Sequence, residues 1–208
     1  MKRIAIFASG AGSNAEKIVE YLASASPPAP LLTERGVGMR HSVERSVGVR
    51  LIVSNKPDGG VLKIANSNNI PTLIIEKEKF YRGNAYVDEL KNAGIDFIVL
   101  AGFLWKLPSL LIKAYPGKII NIHPALLPKY GGKGMYGHFV HEAVLAAKEK
   151  ESGITIHYVD EHYDNGDIIF QAKCPVYETD SPISLAERVR KLEHAYYAKV
   201  VEEVVAGS

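Results

Sequence analysis

Asn121 and His123 are the residues whose types and spacing most directly indicate chemistry. They belong to the sequence Asn-Ile-His-Pro, which ends an otherwise apolar run. Alternate side chains of a strand point to the same face, so Asn121 and His123 face one way while Ile122 faces the core. An amide donor beside an imidazole can polarise a carbonyl group and move a proton. The alternative is a pair that only hydrogen-bonds to a neighbouring loop.

A second candidate group is the acidic segment 160–167, which reads Asp-Glu-His-Tyr-Asp-Asn-Gly-Asp. If Asp164 faces His123, its charge stabilises the imidazolium and raises the pKa of His123. The four acids also suggest calcium, but the twelve-residue spacing that ends in Glu is absent. A solvated acidic turn between two strands is the other alternative.

The third group is a glycine turn, Gly-Ala-Gly-Ser-Asn, at residues 10–14. Glycine lets the backbone approach a ligand closely, and a following helix presents free N–H groups, which together favour a phosphate site. Ser13 and Asn14 can add side-chain hydrogen bonds to a phosphate monoester. Residues 10–15 also match Gly-x-Gly-x-x-Ala, but a dinucleotide site needs an acid after the second strand, where Ser-Asn-Lys stands at 54–56. A plain tight turn is the remaining alternative.

Other reactive side chains do not form a recognisable site. His138, His141 and Glu142 lie near the start of one helix without the His-Glu-x-x-His spacing, and no cysteine pair is nearby, so no zinc site is predicted. Cys174 has no base next to it in the sequence and is interpreted as a passive strand residue. We therefore expect no metal.

The elements that must position these groups alternate between strand and helix almost throughout. This alternation predicts βαβ units in a three-layer, doubly wound α/β fold, with a mostly parallel sheet and helices on both faces. Strands are predicted at 3–9, 49–54, 71–75, 96–100, 119–122, 155–159 and 168–176. Helices are predicted at 15–23, 60–68, 85–92, 108–114, 139–150 and 184–205, the last capped by Ser181.

Two segments fit neither pattern. Residues 25–50 are several times longer than an ordinary α/β connection of about 2–6 residues. We interpret this excursion as a solvated loop, although its arginines could bind an anion; they are Arg35, Arg40, Arg45 and Arg50. Residues 130–137 contain four glycines directly after the Asn-x-His-Pro sequence. This glycine loop is predicted to be a mobile lid in which Lys133 could meet an anionic ligand.

Composition narrows the class of protein. The chain has 208 residues and is 47% hydrophobic and 23% charged, so we expect one domain over 1–208. The single cysteine fits a reducing cytoplasm. A net charge of +2 argues against nucleic acid and anionic membranes as partners. No apolar run approaches the ~20 residues of a membrane helix, and the N-terminus lacks the apolar core of a secretory signal.

Taken together, residues 8–14, 101–103, 121–130 and 163–169 resemble the phosphoribosylglycinamide formyltransferase family closely. The resemblance covers nearly the whole chain except about 25 residues in the 25–50 excursion. It implies a formyltransferase-type fold in which residues 1–100 form a Rossmann-like, phosphate-binding half. Residues 101–208 would then form the catalytic and folate-binding half.

The resemblance also implies roles for individual residues. The catalytic residues would be Asn121, His123 and Asp164. The ribotide would be held by Gly12, Ser13, Asn14, Arg190 and Glu193. The folate would contact Arg82, Leu104, Trp105, Lys106, Leu107 and Asn121. Trp105 departs from relatives that carry a basic residue there, and Arg82 lies beside the position where they place an arginine for the glutamate tail of the folate.

The implied reaction transfers the formyl group of 10-formyltetrahydrofolate, a co-substrate, to the amine of 5-phosphoribosylglycinamide in purine synthesis. Asn121 and a protonated His123 would stabilise the oxyanion, and Asp164 would keep His123 charged. The alternatives are formyltetrahydrofolate hydrolase, which carries an additional N-terminal domain, and a non-catalytic phosphate- or nucleotide-binding module. Methionyl-tRNA formyltransferase is disfavoured because it carries a C-terminal RNA-binding domain. We expect only small-molecule partners, and a monomer or weak homodimer.

Overall fold

The computed structural model describes residues 1–24 and 46–208. Most of the predicted 25–50 excursion, with three of its four arginines, lies outside these residues. Arg50 is described, and it belongs to the second strand.

Seven strands of the described residues form one sheet in the order β3-β2-β1-β4-β5-β6-β7. The first five strands are parallel, whereas β6 pairs antiparallel with β5 and β7 pairs antiparallel with β6. The strands are β1 (Lys2–Phe7), β2 (Val47–Ser54), β3 (Thr72–Ile74), β4 (Phe97–Leu100), β5 (Ile119–His123), β6 (Glu151–Tyr158) and β7 (Ile168–Pro175). The predicted mostly parallel sheet is confirmed.

Helices cover both faces of this sheet. They are α1 (Ser13–Ala23), α2 (Gly60–Ser67), α3 (Lys77–Arg82), α4 (Val87–Asn92), α5 (Ser109–Ala114), α6 (His138–Ala146) and α7 (Pro182–Ala206). One core layer contains buried side chains of α1, α2, α6 and α7, and the other contains those of α3, α4 and α5. The three-layer architecture is therefore as predicted.

The strand residues divide between the two layers by alternation. In β5, Ile120 and Ile122 pack in the layer of α1 and α7, whereas Ile119 packs in the other layer. Asn121 and His123 consequently share the face of Ile119, as the sequence predicts. This places both polar side chains at the carboxyl end of a buried strand, where parallel sheets bind their ligands.

Some predicted boundaries were wrong for identifiable reasons. The helix expected over 139–150 ends at Ala146, because Lys148 has a left-handed backbone (φ 53°) and β6 already begins at Glu151. The helix expected from residue 85 begins at Val87, since Ala85 and Tyr86 also have positive φ. The helix α3 was not predicted at all. Ser181 does cap α7, with its side chain accepting a hydrogen bond from the Ser184 N–H.

The order of the parallel strands reverses between β1 and β4, which is the topological switch point where α/β sheets bind ligands. The glycine turn 10–14 follows β1, and the segment 101–108 follows β4. Among the described residues, no helix has the length and apolar character required to cross a membrane.

Candidate active site

A cavity of about 920 Å³ opens at this carboxyl edge of the sheet. It is lined by the segment after β4, the end of β5, the glycine loop 130–137, the β6–β7 connection (residues 159–167) and the first half of α7. Its volume lies at the upper end of the range for small-molecule sites, about 300–1,000 Å³. The cavity is therefore large enough for a sizeable ligand or for two ligands side by side.

Asn121, His123 and Asp164 all line this cavity. His123 is 3% exposed, and its Nδ1 lies 3.6 Å from Oδ2 of Asp164. Its Nε2 lies 2.7 Å from the carbonyl oxygen of Tyr130. Because a carbonyl only accepts, Nε2 carries the hydrogen and donates it, so Nδ1 of the neutral ring turns a lone pair towards Asp164.

The direction of the His123 pKa shift differs from the expectation, which was a raised pKa. Burial lowers the pKa of His123 below its ordinary value, although the charge of Asp164 and the Tyr130 carbonyl both oppose this shift. Asp164 thus acts in the predicted direction, but removing the ring from water has the larger effect. The net direction is therefore opposite to the one that the charge of Asp164 alone would give.

His157 is a cavity residue that the sequence did not single out. It lies opposite Asn121 in the β5–β6 pairing and is 2% exposed. Its Nε2 is 3.2 Å from Nδ2 of Asn121 and 3.8 Å from Oδ1 of Asp164. Burial lowers the pKa of His157, as it does for His123.

His141 is a third buried histidine on the cavity wall, 5% exposed. Its Nδ1 is buried and has no hydrogen-bond partner in the part of the chain that the structure describes. Burial is the main cause that lowers the pKa of His141; the positive charge of Arg190 lowers it further, as would protonation of His123. Within residues 1–24 and 46–208, no three His, Cys, Asp or Glu side chains are grouped so as to hold a metal ion.

The glycine turn 10–14 adjoins the cavity without lining it. Gly12 is the N-cap of α1 and offers no side chain to the first helical N–H groups, which leaves them free for an anion. Nδ2 of Asn14 donates a hydrogen bond of 2.9 Å to Oε2 of Glu193, which does line the cavity together with Arg190. Burial raises the pKa of the Glu193 carboxyl, against the influence of Asn14 and Arg190.

Leu104, Trp105, Lys106 and Leu107 line the cavity beside the carboxyl end of β4. Trp105 packs in an aromatic group whose ring centroids lie 5.7–6.3 Å from its own; the partners are Phe80, Tyr81 and Phe103. Nζ of Lys106 lies 5.2 Å from the centre of the Tyr163 ring. This end of the cavity is consequently aromatic with one cation beside it.

Arg82 is the one predicted folate residue that the structure does not bring to the cavity. It ends α3, its guanidinium lies 2.8 Å from the carboxylate of Glu78, and its side chain is 81% exposed. Helix α3 contributes to this region through Phe80 and Tyr81 instead.

The chain is similar to known formyl transferases over nearly its whole length. The family model described as formyl transferase matches residues 2–201. Phosphoribosylglycinamide formyltransferase of Bacillus subtilis is 34% identical over 99% of this chain and 95% of its own length. The chloroplastic phosphoribosylglycinamide formyltransferase of Arabidopsis thaliana is 41% identical over 96% of this chain. The chain spans 64% of the length of that plant relative and 60% of the one from Vigna unguiculata.

Solved structures agree with these relatives. Glycinamide ribonucleotide transformylase 1 from Geobacillus kaustophilus superposes with a TM-score of 0.81 at 32% identity, over 99% of both chains. Phosphoribosylglycinamide formyltransferase from Bacillus halodurans gives a TM-score of 0.80 at 32% identity, over 98% of this chain and 95% of its own. The resemblance is confirmed, and the chain belongs to the formyl transferase family and, within it, to the phosphoribosylglycinamide formyltransferases.

Proposed function

We propose that the protein transfers the formyl group of 10-formyltetrahydrofolate to the amine of 5-phosphoribosylglycinamide, giving the formylated ribotide and tetrahydrofolate for purine synthesis. The observation that carries the proposal is the meeting of Asn121, His123 and Asp164 in one cavity with two chemically different ends. Membership of the family supports the same reaction. Two substrates need such a divided site, because each must be held independently before they react.

The aromatic end of the cavity suits the folate. The pteridine and aminobenzoyl rings are flat, and aromatic neighbours such as Trp105 pack well against flat rings. Leu104, Lys106 and Leu107 complete this end, and the ammonium of Lys106 offers a partner for a carboxylate of the glutamate tail. Arg82 lies outside this arrangement, so it is not part of the proposed folate site.

The other end suits the ribotide. The free N–H groups at the start of α1, with Ser13 and Asn14, would bind its phosphate. Glu193 can accept hydrogen bonds from ribose hydroxyls, and Arg190 adds positive charge near the anion. Since Asn14 already binds Glu193, the phosphate and sugar positions are mechanically linked. Residues 1–100 would thus supply the phosphate contacts, and residues 101–208 would supply the chemistry.

The chemistry needs one proton to be moved. The ribotide amine attacks the formyl carbon, and Asn121 donates an amide N–H to the oxygen as it becomes negative. His123 starts neutral, accepts the proton that the amine loses, and passes it to the folate nitrogen as the C–N bond breaks. Asp164, 3.6 Å from Nδ1, stabilises the transient imidazolium. The proton balance closes without a metal or a covalent intermediate.

The test is a formyl-transfer assay with synthetic ribotide, run beside a blank in which water is the only acceptor. Mass spectrometry should show the ribotide gaining one CO unit, with tetrahydrofolate released only when the ribotide is present. Release at the same rate in the blank would identify a hydrolase instead. Binding of the ribotide without any release would identify a non-catalytic phosphate-binding module.

Two further properties belong to this proposal. We expect the protein to work in the cytoplasm, because its one cysteine fits a reducing compartment. We also expect a monomer or weak homodimer acting on small molecules, without nucleic acid or membrane. Sedimentation analysis over a range of protein concentrations checks the oligomeric state.

A further inference from the structure

The contacts of His157 define which nitrogen of its ring carries the hydrogen. Its Nδ1 lies 2.8 Å from the carbonyl oxygen of Tyr158, which can only accept. Nδ1 therefore carries the hydrogen, and Nε2 of the neutral ring presents a lone pair. The atom of Asn121 that lies 3.2 Å from this lone pair must then be the amide nitrogen, which donates.

This bond decides how Asn121 faces the cavity. One N–H of its amide is used by His157, and the second has no partner among the described residues of the protein. A reversed amide would bring Oδ1 against the Nε2 lone pair, and two acceptors at this distance repel each other. The orientation with an N–H available to the cavity is consequently the stable one.

We propose that neutral His157 is a positioning residue for Asn121, whose amide it holds with one N–H free for the formyl oxygen. The proposal rests on the proposed function, in which that N–H stabilises the developing negative charge. His157 itself touches no reacting atom. It acts through a single hydrogen bond, and the backbone carbonyl of Tyr158 fixes the tautomer that makes this bond possible.

The proposal has a consequence for pH. A protonated His157 would present a second N–H at Nε2 to the amide nitrogen, and Asn121 would turn its oxygen towards the ring instead. The titratable groups facing His157 are His123 from β5, and Asp160 and Asp164 from the β6–β7 connection. Burial and His123 lower the pKa of His157, while Tyr158, Asp164 and Asp160 raise it, and the net direction is downward. The residue therefore stays neutral at neutral pH.

Two substitutions separate positioning from packing. In His157→Gln, the side-chain oxygen can still accept the bond from Asn121, whereas His157→Leu fills the space without an acceptor. We expect His157→Leu to lower kcat by about 10- to 100-fold, with the KM for the ribotide changed less than about twofold. His157→Gln should recover most of the lost kcat, and its kcat should fall less steeply on acidification than that of the unsubstituted protein. Equal losses in Leu and Gln variants of equal thermal stability would overturn the proposal.

The coupling to Asn121 is tested by repeating His157→Leu in an Asn121→Ala background. If His157 acts through Asn121, the second substitution should change kcat by less than about twofold there. Independent losses that multiply would contradict a positioning role.

The tautomer can be measured without any assay. Nitrogen-15 NMR of the ligand-free protein should show His157 Nδ1 protonated and Nε2 unprotonated at pH 7, assigned by comparison with His157→Gln. The opposite tautomer, or a charged ring, overturns the proposal even if formyl transfer is confirmed. If the expected tautomer is found but the protein has no transferase activity, the hydrogen bond between His157 and Asn121 is supported. The proposed function is then refuted instead.

Discussion

Asp164 makes contacts in three directions from a nearly buried carboxylate. Its Oδ2 accepts a hydrogen bond of 2.8 Å from the Gly132 N–H and lies 3.6 Å from Nδ1 of His123. Its Oδ1 lies 3.8 Å from Nε2 of His157. An asparagine would keep the size of this side chain but remove the charge that favours the imidazolium of His123. Substitution of either Asp164 or His123 should therefore remove the contribution of both residues to proton transfer.

We expect Asp164→Asn and His123→Ala each to lower kcat by about 100-fold or more, since each removes part of one proton-transfer unit. The double variant should be no slower than the slower single variant. Initial rates at saturating substrate concentrations measure this. Asp167→Asn is the matched control, because Asp167 lies in the same connection but is exposed and outside the cavity, and it should stay within about twofold. If the two losses of kcat multiply in the double variant, Asp164 and His123 act independently and do not form one proton-transfer unit.

The sequence was informative about this site where local rules apply. Strand alternation alone put Asn121 and His123 on one face. The role of His157 depends on the register of β6 against β5, and no local pattern encodes the register of two strands 36 residues apart. The direction of the His123 pKa was misjudged for a related reason. How deeply a side chain is buried depends on the assembled core, whereas a neighbouring charge can be guessed from the sequence.

The backbone turn that leads into α1 depends on Gly12. Its backbone is left-handed (φ 82°), and a Cβ built there would lie 2.8 Å from Cβ of Val61 in α2. A Cβ built on Gly10, two residues earlier, would have no other heavy atom within 4 Å. Substitution of Gly12 would therefore damage the fold as well as any phosphate site, so Ser13→Ala is the cleaner probe of ribotide binding.

We expect Gly12→Ala to lower the free energy of unfolding by about 1–3 kcal/mol, through backbone strain and the clash with Val61. Gly10→Ala should change it by less than about 0.5 kcal/mol. Denaturant titration of both variants measures the difference. Equal stability of the two variants would show that α2 can move away from the turn.

The glycine loop 130–137 is expected to be mobile in the free protein and ordered by ligands. Only two hydrogen bonds join backbone groups within the loop: the Met135 N–H donates to the Gly132 carbonyl, and the Tyr136 N–H donates to the Gly134 carbonyl. Its exposed residues are Lys133, Gly134, Tyr136 and Gly137. Fixing each residue costs about 1–2 kcal/mol of backbone entropy. Its anchored end carries the Tyr130 carbonyl that holds His123 and the Gly132 N–H that holds Asp164.

Hydrogen exchange across residues 130–137 tests this mobility. Protection should be low in the free protein and rise when both substrates, or unreactive analogues, are bound, while the amides of α1 residues 18–22 serve as the protected control. High protection already present without ligands, and unchanged by them, would mean that the loop is a rigid connection.

Helices and strands were predicted well where an apolar pattern extends over many residues. They were predicted poorly where contacts with distant segments determine the secondary structure. All seven strands and six of the seven helices in residues 1–24 and 46–208 were predicted, but α3 has a single fully buried side chain, Phe80, and so carries no periodic signal. The start of β6 was misplaced because residues 151–153 become a strand only by pairing with β7.

Across the whole molecule, the cavity is assembled from segments that are distant in the sequence. The carboxyl ends of β4 and β5, the β6–β7 connection and α7 each contribute one wall. Closing these walls removes the imidazoles of His123, His141 and His157 from water. Each of the three has a pKa below its ordinary value of about 6.5, with burial as the largest cause. The site is therefore tied to the stability of the fold through proton uptake.

The sign of this linkage follows from the direction of the shifts. Between the lowered pKa values of the folded state and about 6.5, the unfolded chain binds more protons than the folded protein, so acidification favours unfolding. Each histidine contributes up to about 1.4 kcal/mol per pH unit in that window, and the contribution is fully present above pH 6.5.

We expect the free energy of unfolding to fall by about 1–4 kcal/mol as the pH is lowered from about 7 to about 5. Denaturant titrations at several pH values measure the slope of the free energy of unfolding against pH. In His157→Gln, the number of protons taken up on unfolding should fall by up to one, so the slope should be shallower. His162→Gln is the control, because the side chain of His162 is exposed. A stability that is constant across this range would mean that the buried rings take up protons without opening the core.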